Sequence, residues 1–119
     1  MIVRSLAGAR PFTTKDGSTI RSLLDRSNAP VMNQSLAEAT LPPGGATETH
    51  YHQDSEEFYY VVQGEGRMRI GEEERAVTVG DAILIPPGAV HTLRNTGTGE
   101  LKILCCCAPP YAHEDTYFP

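Results

Sequence analysis

At 119 residues and a formal charge of −5, the chain has room for one core and one site but none for a separate cofactor-binding domain. No basic stretch exceeds the alternating Arg67 and Arg69, so the electrostatic footprint of a nucleic-acid binder is missing. No apolar run approaches the roughly 18 residues a membrane helix needs, and Met1-Ile2-Val3-Arg4-Ser5 lacks the layout of a secretory signal, so a cytoplasmic protein with no membrane partner is expected.

Residues 1–32 read as an N-terminal arm laid over the main domain, because Gly8, Pro11, Gly17 and Pro30 interrupt any regular pattern and only Ser18 to Leu24 suggests a strand. Residues 33–108 read as a run of short strands separated by turn signals. These are Asn33 to Leu41, Thr47 to His52, Glu57 to Gln63, Arg67 to Ile70, Arg75 to Val79, Ala82 to Ile85, His91 to Asn95 and Leu101 to Ala108. The close spacing predicts an all-β sandwich or barrel, and the lack of a sustained 3.6-residue apolar period predicts little helix. Residues 109–119 form a polar and aromatic tail, expected to pack outside the barrel or cover its mouth, with His113-Glu114-Asp115 facing solvent.

Cys105, Cys106 and Cys107 are consecutive, and no distant cysteine exists to pair with them. Neighbours on a strand face opposite sides, so they are expected to be free thiols in a reducing compartment, with Cys105 and Cys107 on one face.

The chemistry concentrates in His50-Tyr51-His52. A strand's period of two points both imidazoles to one face and Tyr51 away from it. Glu57 lies five residues past His52, an odd count, so the Gln53-Asp54-Ser55 turn must reset the alternation for its carboxylate to join them. Pro86-Pro87-Gly88-Ala89-Val90 precedes His91, and a hairpin there would carry His91 back towards the pair. Three imidazoles and one carboxylate suit one divalent transition metal, namely Fe, Mn, Co, Ni, Cu or Zn, and leave positions open to a small molecule. Tyr59 and Val61 should share the inward face of Glu57, with Met68 and Ile70 inward on the next strand, giving a largely apolar pocket.

Gly44, five residues, His50-x-His52, four residues, Glu57, six residues, Gly64 resembles the first motif of the cupin family. Gly80, five residues, Pro86-x-Gly88, two residues, His91, three residues, Asn95 resembles the second. The resemblance covers roughly Leu36 to Cys107 and implies a single cupin-type β-barrel or jelly roll, the four metal ligands His50, His52, Glu57 and His91 facing its interior. Spacing back from Gly64 favours Glu57 over Glu56, and Asn95 reads as the entry to a turn. The resemblance also implies a homodimer formed through outer sheet faces, with Met1 to Arg4 as a strand that protomers can exchange.

The function expected from this set is a mononuclear metalloenzyme acting on a small oxygen-containing substrate, with dioxygenase-like oxidoreductase chemistry favoured and Glu57 as the catalytic carboxylate. The alternatives are a non-catalytic metal-binding or small-ligand domain, or a metal-dependent isomerase, decarboxylase or cyclase. A phosphosugar substrate is disfavoured, because Lys15 and Lys102 are the only lysines and no basic residue falls on a clearly inward position.

Overall fold

Period-two alternation decides which faces are buried. In β5 (Glu56–Gln63), Glu57, Tyr59 and Val61 are buried while Glu56, Phe58, Tyr60 and Val62 are exposed. The computed structural model describes all 119 residues, and antiparallel strands dominate it. The largest sheet has the order β1 (Phe12–Thr13), β2 (Thr19–Leu24), β3 (Ser35–Leu41), β10 (Leu101–Ala108), β5, β8 (Ala82–Ile85). A three-stranded sheet of β7 (Glu73–Thr78), β6 (Glu65–Ile70) and β9 (His91–Asn95) faces it, and β4 (Tyr51–His52) pairs with β11 (Thr116–Tyr117).

Apolar side chains from both larger sheets meet in one core. Ala39, Leu41, Tyr59, Val61, Ile85, Leu101 and Ile103 come from the six-stranded sheet, and Met68, Val77 and Leu93 from the three-stranded one. This is the all-β barrel of short antiparallel strands that the strand spacing predicts. β10 lies at its centre, paired with β3 on one side and β5 on the other. Gly64, where the chain leaves β5 for the second sheet, has φ +84°, and a Cβ there would meet the Glu100 carbonyl oxygen at 2.6 Å, so only glycine fits.

Four expectations change in detail. The arm contributes β1 and β2 to the main sheet, β2 pairing along β3 from Thr19↔Thr40 to Leu24↔Leu36. Met1 to Arg4 forms no strand, and Arg4 Nε donates to the Asn28 carbonyl at 3.2 Å. Thr47 to His52 is not one strand: only Tyr51 and His52 are, because the Thr47 hydroxyl takes the Leu93 N–H (3.0 Å) where a regular ladder would use a carbonyl. Pro86 to Val90 is not a hairpin either. β8 and β9 belong to different sheets, and two prolines without N–H groups end the first ladder before Gly88 (φ +79°) redirects the chain into the second. No helix is long and apolar enough to cross a membrane.

Candidate metal centre

His50 and His91 are joined through their backbones, His91 N–H to His50 O at 2.8 Å and His50 N–H to His91 O at 3.1 Å. This bridge between the β3–β4 connection and β9, rather than a hairpin, brings His91 to the pair, and the two ring centroids lie 4.2 Å apart. His52 completes the group, 5.2 Å from His50 by ring centroids. Tyr51 turns away, as alternation requires, and stacks on Tyr117.

All three imidazoles are buried, and each directs Nδ1 at a backbone carbonyl: His50 at Glu48 O (2.6 Å), His52 at Asp115 O (3.2 Å) and His91 at Ala89 O (2.9 Å). A carbonyl can only accept, so Nδ1 carries the proton in every ring and Nε2 of the neutral ring is left with a bare lone pair. One ring nitrogen of each histidine lies within 4.8 Å of the other two, so the three can hold a metal ion. Burial, reinforced by neighbouring His50, lowers His91 to about 4 and keeps it neutral near pH 7. Burial also disfavours charge on His52, but the adjacent Glu57 carboxylate outweighs it and raises that pKa.

Glu57 Oε1 lies 3.3 Å from His52 Nε2 and 3.8 Å from His91 Nε2. Its Oε2 accepts from Cys107 Sγ (3.1 Å), whose thiol is held protonated by burial and by the carboxylate itself. Glu57 Oε1 and His91 Nε2 are buried with no hydrogen-bond partner. Unpartnered buried acceptors are costly, and a cation is the kind of group that satisfies both, so the three imidazoles fit a metal, with Glu57 Oε1 beside them. Glu56 is exposed on the opposite face.

A cavity of about 60 Å³ adjoins the site, reached by Glu57, His52, Tyr59, Cys105, Cys107 and Tyr111, its other walls being apolar side chains mixed with Ser and Thr hydroxyls and the carboxylates of Asp16 and Asp25. That is space for a few waters or a small ligand. Tyr59 lines it as expected, whereas Val61 and Met68 pack only in the core and Ile70 is half-buried. No lysine or arginine lines it. Cys105 and Cys107 face inward and Cys106 outward towards Gln34, and all three are free. Asn95, a turn residue as read, donates to Leu41 O and Gly99 O and accepts from Gly97 N–H.

Two contributors were missed. Asp115, read as part of a solvent-facing tail, is buried: its carboxylate accepts the backbone N–H groups of Gln53, Asp54 and Ser55 at 3.0 to 3.2 Å, while its carbonyl holds His52. It therefore clamps the turn that resets the alternation for Glu57, and nothing local announces this, because its partners lie some 60 residues away. Asp16 is the other, 3.5 Å from His50 Nε2 through Oδ2. Thr14-Lys15-Asp16-Gly17-Ser18 carries a turn signature, which gives no hint of a site.

Residues 37–107 match the cupin domain family, well over half of the chain. This chain belongs to the cupin family. The cupin is 50% identical over 107 residues to the uncharacterized protein MJ1618 of Methanocaldococcus jannaschii, covering 90% of this chain and 86% of the other. It is 29% identical over 110 residues to the polyketide synthase CurC of Streptomyces cyaneus, covering 88% and 71% respectively. In three dimensions it resembles a predicted oxalate decarboxylase from Thermotoga maritima, with TM-score 0.78 at 24% identity over 91% of this chain and 98% of that one. That likeness is one of fold.

Proposed function

We propose that this cupin is a metalloenzyme in which His50, His52, His91 and Glu57 hold one divalent transition ion, and that its substrate is a small, uncharged, oxygen-containing molecule seated in the adjoining cavity. The observation that carries the reading is the buried meeting of Glu57 Oε1 with the His91 Nε2 lone pair, neither having a donor. The bound ion would supply Lewis acidity towards a substrate oxygen, and redox chemistry if it is iron, copper or nickel. The chain's part is orientation. Three backbone carbonyls fix the imidazoles, and Cys107 fixes one oxygen of Glu57. If released from the ion, Glu57 Oε1 would instead be placed to accept a substrate proton.

The cavity's lack of basic residues bears on the reaction. An oxalate-type decarboxylase or a phosphosugar isomerase binds an anion, and no cationic side chain here would hold one. Dioxygenase-like chemistry on a small diketone or catechol, or cyclisation of a small neutral substrate, fits the walls better. The test is elemental analysis of untagged protein followed by O₂ uptake on diketones and catechols after Fe(II) loading. Near-stoichiometric metal with uptake on any of them supports an oxygenase. Metal with no uptake but conversion of a neutral substrate supports a cyclase, and metal with no turnover of any compound leaves a binding domain. An active protein should lose far more activity on Glu57→Gln than on the exposed Glu56→Gln, and the reverse ranking would move the carboxylate by one residue.

A homodimer is part of the same reading. Phe58, Tyr60, Val62 and Leu84 stand exposed on the outer face of adjacent strands β5 and β8, an apolar surface that a second copy would cover. Light scattering should then give twice the chain mass, and Phe58→Glu should halve it. Three unpaired thiols fit a reducing compartment such as the cytoplasm.

A further inference from the structure

The loop between β1 and β2 brings a second carboxylate to the imidazoles from outside both cupin motifs. Asp16 Oδ1 is saturated, accepting from Thr14 Oγ1 (2.6 Å), Ser18 N–H (2.9 Å) and Ser18 Oγ (2.6 Å). The loop is also tied down through its backbone, since Glu48 N–H donates to Asp16 O at 2.6 Å and Thr14 N–H to Ser18 O at 3.1 Å. Every hydrogen bond to this carboxylate goes to Oδ1, which leaves Oδ2 facing His50 Nε2 at 3.5 Å. With His50 Nδ1–H committed to Glu48 O, the neutral ring offers Oδ2 a lone pair rather than a proton. Two acceptors held face to face call for a cation between them. The same opposition occurs at Glu57 Oε1, on the other two imidazoles.

We propose that Asp16 is a second carboxylate of the metal centre, and that by cancelling the ion's remaining charge it makes the site reject anionic ligands. The proposal rests on the metal reading above. A divalent ion with Glu57 alone keeps one net positive charge, which attracts anions; with Asp16 as well, the centre is neutral. No lysine or arginine lines the cavity to restore a positive field, so an incoming anion meets a centre with no net charge to attract it, whereas a hydroxyl or enol can donate to Oδ2. Asp16 thus sets the substrate class towards neutral hydrogen-bond donors.

The bland role for Asp16 is to close its own turn, and Oδ1 alone does that. Asp16→Asn separates the two roles. It keeps the Oδ1 acceptor, and its amide N–H can donate to His50 Nε2, so the metal-free protein should fold at least as well. Asp25→Asn is the control: Asp25 also lines the cavity, but its carboxylate is held by Ser22 and Ser27. Wild type, D16N and D25N would be titrated with Co(II) against a competing chelator, followed by visible absorption, and the loaded proteins then titrated with azide. Wild type and D25N should bind Co(II) alike, while D16N binds it roughly 10–100-fold more weakly, shows a changed Co(II) spectrum, and takes azide more tightly. D16N matching wild type in all three readouts overturns the role of Asp16 and leaves the metal site standing, and D25N behaving like D16N overturns it as a general charge effect. A wild type that takes up no Co(II) overturns the metal reading and this proposal with it. Should D16N fail to fold, D16E serves: a shifted Co(II) spectrum supports the proposal and an unchanged one overturns it.

Discussion

His91→Ala is expected to keep the barrel and lose most of its bound metal. The strand pairing that places residue 91 is made by backbone atoms, through the two hydrogen bonds with His50 and the β6–β9 ladder, and survives truncation of the side chain. The imidazole itself is fully buried, and its Nε2 has no partner in the protein. Removing it deletes one hydrogen bond, to Ala89 O, worth about 1 kcal/mol, and leaves a cavity that costs about 2 kcal/mol, offset in part by the loss of an unsatisfied buried nitrogen. Metal affinity has no such offset. Loss of a direct ligand should exceed the roughly 10–100-fold that loss of a supporting group costs. Elemental analysis together with a urea unfolding curve reads both quantities, and an unchanged metal content would remove His91 from the ligand set.

Asp115→Ala should show the largest effect on stability. Three backbone N–H groups, of Gln53, Asp54 and Ser55, point at one carboxylate, and hydrogen bonds to a charged acceptor are worth about 1.5–3 kcal/mol each when buried. Gln53 and Asp54 are exposed enough for water to replace part of that, while Ser55 is buried, so a total loss of about 3 kcal/mol is expected. The effect should also reach the site. The freed turn no longer fixes the step between His52 and Glu57, and the metal should bind more weakly although no ligand has been altered. Asp115→Asn, which keeps one acceptor oxygen, should fall between. A urea midpoint that does not move for the alanine variant would show that water takes over the clamp.

The fold was readable because alternation and turn residues are local signals. β8, β9 and β10 have the bounds that the sequence suggests, and Glu57, Tyr59 and Val61 point inward as their spacing requires. The three histidines were readable as residue types at the spacing of the two motifs, although the bridge that joins His50 to His91 links positions far apart in sequence. What escaped depends on contacts distant in sequence. Asp115 acts on a turn some 60 residues earlier, and Asp16 meets His50 only because β2 docks on β3. The crossing between β8 and β9 looks like a hairpin in sequence, since prolines and a glycine announce a change of direction without saying which sheet receives the next strand.

The central place of β10 has a kinetic consequence. Leu101 to Cys107 pairs with Leu41 to Ser35 on one edge, and Ile103 to Ala108 with Val61 to Glu56 on the other, so the main sheet is two separate pieces until this strand inserts. Closing loops of that length precedes any reward from pairing, which slows folding of such β topologies into the range of milliseconds to seconds. Glu57, whose strand is then anchored on one side only and whose Cys107 partner arrives with β10, acquires its orientation in that same late step.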